Sequence, residues 1–138
     1  YEITTRLVGS EMCIRDSIII PNKTEAELIS GVEITDSESE LRAINAIHAM
    51  GVPTVIFTLG SKGALICENG DCELIPSFKV APVDTTAAGD TFCGALCVAL
   101  SEGMPMRRAI EFANKAASIT VTRMGAQQSI PTRDEVDF

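Results

Sequence analysis

Residues 84–100, DTTAAGDTFCGALCVAL, change from polar to apolar within a few positions. The stretch opens on a carboxylate, passes through three small residues and meets a second carboxylate, Asp90, before ten small or apolar residues. This pattern predicts a buried helix whose first turn presents unpaired amides and the positive end of the helix dipole. Small residues there let a ligand approach the backbone closely. We therefore predict an anion hole of phosphoryl size, formed by Ala87, Ala88, Gly89 and Asp90.

Asp90 lies at the edge of this predicted hole and is a candidate general base. Phosphoryl transfer needs an aligned nucleophile, a group that accepts its proton, and donors on the phosphoryl oxygens. The alternative is that Asp90 only caps the helix and that the glycine serves the turn.

Composition and charge exclude several classes of protein. The 138 residues are 46% hydrophobic and 22% charged, with a net charge of −8 and scattered basic residues. Nucleic acid would require a basic stripe, and a membrane span would require roughly 18–20 consecutive apolar residues. The N-terminus also lacks the apolar block of a secretory signal. We expect a one-domain cytoplasmic protein that binds neither nucleic acid nor membrane.

The cysteines favour reduced, structural roles. Their count is odd and no C-x-x-C pair occurs, which argues against a zinc site or a secreted disulfide framework. Cys93 and Cys97 are predicted to be small core residues, and Cys67 and Cys72, which flank a turn, are predicted to be reduced. The five positions are Cys13, Cys67, Cys72, Cys93 and Cys97.

The order of the predicted elements indicates an α/β fold. PTVIFTLG reads as a strand buried on both faces, and Asn69-Gly70 predicts a hairpin. One helix is predicted to have Leu41, Ala43, Ile44, Ala46, Ile47 and Met50 on its apolar side. The other predicted elements are a short buried strand ending at Pro21, a helix capped by Thr24 and Glu27, a strand in SFKVAPVD, helices near 90–102 and 105–122, and a last helix capped by Thr132 and Glu135.

Three segments follow predicted strands, where open α/β sheets bind ligands: 22–25, 60–63 and 86–90. TLGSKG, from Thr58, is either a nucleotide-edge loop or a tight turn between strands. Glu25 in PNKTE either holds Mg²⁺ through water or simply favours a helix N-terminus. His48, the one histidine, is predicted to be a surface or boundary residue.

The same three segments resemble the signatures of one protein family. PNKTEAE is similar to an Asn-x-x-Glu motif, TLGSKGA to a nucleotide-binding strand and loop, and DTTAAGDTFCGAL to a C-terminal signature. In this order they resemble the phosphofructokinase-B family of carbohydrate kinases, and ANKAASITVTRMGAQQSIP is similar to its ribokinases. The resemblance runs from about Ile18 to Phe138. It implies the C-terminal part of a three-layer α/β/α fold, with an incomplete, mostly parallel sheet and a β-hairpin.

The resemblance also implies a role for each matching residue. Asp90 is then the catalytic base, which binds the sugar and takes the proton of its 5-hydroxyl, and Glu25 acts on Mg²⁺ and phosphate. The implied ATP-binding residues are Asn22, Thr58, Leu59, Gly60, Ser61, Lys62, Gly63, Gly89 and Asn114. The implied ligands of an activating K⁺, largely through carbonyl oxygens, are Asp84, Thr86, Thr120, Arg123, Gly125 and Ser129.

The activity implied for the parent protein is ATP-dependent phosphorylation of D-ribose to ribose 5-phosphate by a cytoplasmic homodimer. The alternatives are another sugar or nucleoside kinase of the family, such as a fructokinase, or a non-catalytic nucleotide-binding fragment. Many relatives have Gly-Ala-Gly-Asp where this chain has Ala87 first, an alanine that ribokinases tolerate.

The largest departure from the family lies at the front of the chain. A complete member has well over a hundred residues before the Asn-x-x-Glu motif, and these supply the sugar pocket and the lid. We therefore expect residues 18–138 to be the C-terminal nucleotide-binding part of a kinase, inactive alone. Residues 1–17, in which SEMCIRDS looks like translated sequencing adapter, are expected to be a non-family segment of a truncated or chimeric reading frame.

Overall fold

The described residues form a four-stranded open sheet. The structure, a computed structural model, describes residues 18–136. The strands are β1 Ile18–Ile19, β2 Thr54–Thr58, β3 Ala64–Glu68 and β4 Asp71–Ile75, in this order across the sheet. β1 and β2 are parallel, with Ile18 opposite Thr54. The predicted α/β class is confirmed, and the sheet is mixed.

The described residues, helices included, form two compact units. Over the described range they are α1 Lys23–Ser30, α2 Ser37–Ala49, α3 Ala88–Ser101, α4 Met106–Val121 and α5 Arg133–Val136, with 3₁₀ turns at Gly60–Lys62 and Gln127–Ser129. No helix among residues 18–136 has the length and hydrophobicity to cross a bilayer. One unit comprises the described residues up to Thr58 with Leu65–Glu73, and the other Leu59–Ala64 with Leu74 onward. The predicted non-family segment 1–17 lies outside the described residues.

The core of the first unit forms where α1 and α2 contact β2. Val55, Ile56 and Phe57 are all buried, as predicted for a strand covered on both faces. β1 is less buried than predicted, since Ile18 is 38% exposed. This short strand lies at one edge of the sheet formed by the described residues.

Helix α2 buries a narrower face than its sequence predicts. Ala43, Ile44 and Ile47 are buried, whereas Leu41 and Met50 are exposed. The buried residues fall at the i, i+1 and i+4 positions of one helical face, and the two exposed residues lie nearer the ends. The predicted apolar side is therefore confirmed for Ala43, Ile44 and Ile47 and wrong for Leu41 and Met50.

The cap of α1 lies two residues before its predicted position. Asn22, not Thr24, is the N-cap, and its side chain accepts from the amide of Glu25, whose carboxylate accepts from the amide of Asn22, each at 2.9 Å. The sequence contains two overlapping patterns of cap and acid, and the one that directly follows Pro21 forms. The predicted end of the helix, Gly31, has the left-handed φ of 70° that favours glycine.

The β3–β4 hairpin forms at the predicted turn. Asn69 and Gly70 have φ values of 51° and 90°, as a two-residue turn of this kind requires. Residues 67 and 72 are then directly opposite, with Cα atoms 4.1 Å apart. The prediction that they are reduced is wrong, because Cys67 and Cys72 form a disulfide.

Helices α3 and α4 pack along each other and form the core of the second unit. The buried apolar residues include Phe92, Leu96, Ala99, Ile110 and Ala113. The predicted helix pair 90–102 and 105–122 is found within two residues at each end. The prediction that both α3 cysteines are core residues is wrong, since Cys93 is only partly buried and Cys97 is exposed.

The predicted strand in SFKVAPVD does not form. Residues 76–85 contain neither helix nor strand. Pro76 and Pro82 lack amide donors and weaken any ladder of strand hydrogen bonds. Instead, the amides of Val83 and Asp84 donate to the carbonyl oxygen of Val121 at 2.7 and 3.1 Å, which ties this segment to the end of α4.

Candidate active site

The N-terminus of α3 presents an open backbone corner. Ala87 precedes the helix with φ 64°, a left-handed conformation, and its carbonyl oxygen accepts from the amide of Thr91 at 2.9 Å. The amides of Gly89 and Asp90 donate to none of the described residues. No atom lies within 4 Å of the position that a Cβ on Gly89 would occupy. Asp90 is exposed in this first turn, so the corner has the donors and the space that an anion requires.

Asp84 links this corner to a loop that follows α4. One carboxylate oxygen accepts from the amide of Thr86 at 2.9 Å, and the other accepts from the amide of Gly125 at 3.0 Å. Hydrogen bonds from the side chain and amide of Thr86, and from the amide of Gly125, lower the pKa of Asp84 below its usual value. The structure therefore brings together three of the six predicted K⁺ ligands.

Two other predicted K⁺ ligands, Thr120 and Arg123, are joined by a backbone hydrogen bond of 3.1 Å from the amide of Arg123 to the carbonyl oxygen of Thr120. The guanidinium of Arg123 forms an ion pair with Glu135 at 2.6 Å. Ser129 is buried, and its hydroxyl donates to the carbonyl oxygen of Ala126 within its own 3₁₀ turn. The side chains of Thr120, Arg123 and Ser129 thus all have partners within the protein.

Thr91 is a site residue that the sequence reasoning missed. Its hydroxyl oxygen lies 3.2 Å from the buried hydroxyl oxygen of Thr120, which lies 3.1 Å from the carbonyl oxygen of Ala116, so that the one proton of Thr120 has two acceptors within reach. This pair fixes the residue that follows Asp90 against α4. The sequence signal was that Thr91, a polar residue, begins an otherwise apolar run, because a polar side chain on the buried face of a helix needs a hydrogen-bond partner.

The first unit places Asn22, Glu25 and Thr58 near one another. The amide and hydroxyl of Thr58 both donate to the carbonyl oxygen of Pro21, at 3.0 and 3.4 Å, and Asn22 follows directly. The end of β2 and the start of α1 therefore lie side by side. The Glu25 carboxylate uses one oxygen in the capping box, which leaves the other as a hard oxygen donor of the type that Mg²⁺ prefers.

The loop TLGSKG turns sharply through a 3₁₀ segment. The amide of Leu59 donates to the carbonyl oxygen of Gly63 at 2.8 Å, and Ser61 and Lys62 are exposed. Gly63 has φ 109°, and a Cβ there would lie 2.1 Å from the carbonyl oxygen of Ile75. Only glycine fits this position without moving the backbone.

Asn114, an implied ATP-binding residue, is buried. It is 3% exposed, and its side-chain amide donates to the carbonyl oxygens of Ile75 and Pro76 at 3.1 and 3.4 Å. Asn114 and Gly63 thus contact the same stretch of backbone. The role of Asn114 near adenine stays a prediction, while its role in holding residues 75 and 76 is observed.

A separate groove of about 400 Å³ lies at the opposite end of β2 from Thr58. It is lined by Asn45, His48, Gly51, Val52, Pro53, Asn69 and Gly70. His48 is partly buried, as predicted for a boundary residue, and its Nδ1 lies 2.7 Å from the carbonyl oxygen of Val52. Among the described residues no cluster of three or more His, Cys, Asp or Glu could hold a metal ion. His48 is the one side chain with a titratable group in the lining of this groove.

The fold and the three loops define the class of protein. Residues 13–133 match the pfkB family of carbohydrate kinases, and the chain belongs to this family. The match includes the last five residues of the predicted non-family segment, and the boundary at residue 17 stays a prediction.

Among its relatives are ribokinases. The chain is 45% identical to the ribokinase of Haemophilus influenzae over 130 residues, which are 94% of this chain and 42% of that protein. The ribokinase structure of Thermotoga maritima is 42% identical, with a TM-score of 0.78 over 96% of this chain and 45% of that one. The structure of Arabidopsis thaliana ribokinase with ribose and ATP is 35% identical, with a TM-score of 0.83 over 92% and 42% of the two chains. The chain thus spans less than half the length of these relatives.

Proposed function

We propose that this chain is the nucleotide-binding and anion-hole part of a kinase that transfers a phosphoryl group from ATP to the 5-hydroxyl of D-ribose. The observation that carries the proposal is the open first turn of α3, where the amides of Gly89 and Asp90 have no acceptor among residues 18–136 and the Asp90 side chain is exposed. Preorganised donors of this kind stabilise the charge that develops on a phosphoryl group in transfer. The relative that contains ribose and ATP supports both substrates.

In this proposal Asp90 accepts the proton of the sugar hydroxyl while the amides of Gly89 and Asp90 hold the phosphoryl oxygens. The hydroxyl pair of Thr91 and Thr120 keeps the first turn of α3 in place against α4. Asp90 therefore does not depend on a flexible loop for its position.

The other site residues bind ATP and the ions. Asn22, Thr58 and residues 59–63 contact ATP, and Asn114 supports the backbone at residues 75 and 76 near adenine. Glu25 would hold Mg²⁺, which neutralises phosphate charge when bound. Asp84, whose carboxylate joins two loops, would hold K⁺ together with carbonyl oxygens of Thr86, Thr120, Arg123, Gly125 and Ser129. Glu25 and the K⁺ ligands both offer oxygen donors, which these hard ions prefer. The parent protein is a cytoplasmic homodimer, and the missing part supplies the sugar pocket and the lid.

A chimera tests this function. Residues 18–138 are joined to the N-terminal part of the Thermotoga maritima ribokinase, and ADP release is followed with ATP, Mg²⁺, K⁺ and D-ribose. We expect ribose-dependent turnover, and we expect Asp90→Asn to lower kcat by about 10²–10⁴-fold, as loss of a general base does. Asp134→Asn, an exposed acid outside the site, is the matched control.

Three further measurements distinguish this proposal from a non-catalytic nucleotide-binding part and from another kinase of the family. The chain alone should show no ribose-dependent turnover, and appreciable turnover would contradict the need for the missing half. If ATP raises the melting temperature of the chain while the folded chimera has no activity with any sugar, the chain is a non-catalytic nucleotide-binding part. A panel of ribose, fructose and nucleosides, tested on the complete parent protein, distinguishes a ribokinase from another kinase of the family.

A further inference from the structure

The Cys67–Cys72 disulfide joins two residues of opposite exposure. Cys67 is 0% exposed, whereas Cys72 is exposed on β4, the last strand of the sheet. Thiol–disulfide exchange begins when a thiolate reaches one of the two sulfurs, so access decides which sulfur is attacked. We propose that Cys67–Cys72 is a thiol-exchange site at which a small, uncharged or cationic thiol adds to Cys72.

The exchange proceeds in two steps. The incoming thiolate forms a bond to the sulfur of Cys72, the bond between the two cysteines breaks, and the electron pair leaves on Cys67. The sulfur of Cys67 then takes a proton from water. A second thiolate attacks the sulfur of the first and releases Cys72 as a thiol. Two small thiols are oxidised to one disulfide, and the two cysteines are reduced by the same two electrons.

The charge of the hairpin selects the class of thiol. Residues 64–72 contain two acidic side chains, Glu68 and Asp71, and no basic one. Both are exposed, and they lie within four residues of Cys72 along the chain. An anionic thiolate is repelled by this charge at low ionic strength, while a thiolate that also has an ammonium group is not. Salt therefore accelerates attack by anionic thiols and changes attack by cationic ones much less.

The site of addition is tested on the full chain. Free thiols are first blocked with N-ethylmaleimide, which leaves the disulfide intact, and cysteamine is then added. The reaction is stopped with iodoacetamide, and cleavage after Glu68 separates Cys67 from Cys72 for mass spectrometry. We expect the cysteamine adduct on Cys72 to exceed that on Cys67 by about tenfold or more. Equal adducts, or a disulfide that resists cysteamine in the folded chain, would overturn the proposal.

Two variants, each lacking one cysteine of the pair, test the same asymmetry if the mixed disulfide with cysteamine is too short-lived to detect. Cys67→Ser leaves the exposed thiol and Cys72→Ser the buried one, and both are treated with cystamine after circular dichroism confirms the fold. Modification of the Cys67→Ser variant at Cys72 should be faster by about tenfold or more than that of the Cys72→Ser variant at Cys67. Equal rates contradict the assigned asymmetry.

The selection by charge has its own experiment. The exchange rates with cysteamine and with 3-mercaptopropionate are compared at equal thiolate concentration, in about 20 mM and about 500 mM NaCl. We expect the rate with 3-mercaptopropionate to rise severalfold with salt and the rate with cysteamine to change less than about twofold. Asp71→Asn should reduce the salt effect, and Glu38→Gln, an exposed acid of α2, should leave it unchanged. An identical salt effect for both thiols would overturn the proposed thiol class.

Discussion

The side-chain amide of Asn114 donates a 3.1 Å hydrogen bond to the carbonyl oxygen of Ile75, so that α4 holds the end of β4. Both residues are buried. Gly63 also lies close to this backbone, at a distance that only a residue without a side chain allows. One short stretch, residues 75–77, therefore depends on both residues.

Asn114→Leu should destabilise the chain by about 1–3 kcal/mol, because it leaves a buried carbonyl group without its donor while keeping a similar volume. Urea unfolding followed by circular dichroism measures the change. Asn45→Leu, at an exposed position of α2, should stay within about 0.5 kcal/mol. Equal effects of the two variants would mean that the bond to Ile75 contributes nothing.

Gly63→Ala should cost more than about 1 kcal/mol, since φ is 109° and the new Cβ would lie 2.1 Å from a carbonyl oxygen. Gly94→Ala is the matched control, because no atom lies within 4 Å of its Cβ position inside α3. That control should gain about 0.5–1 kcal/mol from its higher helix propensity. The unfolding midpoints of the two variants should therefore move in opposite directions, and movement in the same direction contradicts the close approach.

Ala87→Gly should stabilise the chain by up to about 1 kcal/mol, because a left-handed φ of 64° costs an alanine more than a glycine. This change restores the Gly-Ala-Gly-Asp form of the signature. Ala95→Gly, in the interior of α3, should instead lose about 0.5–1 kcal/mol. A loss of stability in both variants would show that Ala87 is not strained.

Protonation of Glu135 should account for part of the folding stability that the chain loses at acid pH. Its hydrogen bond with Arg123, followed by that with the amide of Thr132, lowers its pKa to about 2 from the ordinary 4.5. A carboxyl whose pKa is lower in the folded state stabilises folding above pH 4.5, and this contribution is lost as the pH falls from about 4.5 toward about 2. The unfolding midpoint in urea, measured from pH 6 to pH 3, should therefore fall less steeply in Glu135→Gln than in the unsubstituted chain. Asp134→Asn should retain the steep fall, and a matching curve for both variants would contradict the role of this ion pair.

Short sequence patterns correctly predicted those turns and helix ends whose conformation depends on neighbouring residues. Asn69-Gly70 specified its hairpin because both residues tolerate positive φ, and the apolar run after Asp90 gave a helix within two residues of its predicted start. The strand expected in SFKVAPVD failed because a strand requires a partner, which local sequence cannot supply. Residues 76–85 bond instead to Val121, far along the chain.

The local geometry of the candidate site was more predictable than its long-range contacts. The small residues before Asp90 indicated an open corner, and the corner is open. The contact between Asp84 and Gly125 spans 41 residues, and nothing local to either residue signals it. Asn114 illustrates the same limit. The resemblance to the family implied a place near ATP, which stays a prediction, whereas its hydrogen bonds to the carbonyl oxygens of Ile75 and Pro76 became visible only in three dimensions.

The carboxylate of Asp84 protects two amides that belong to distant parts of the chain. Deuterium should therefore replace the amide hydrogens of Thr86 and Gly125 at matched rates, since losing one acceptor group exposes both. These two positions would open together, as one unit of local unfolding, before α3 and α4 separate.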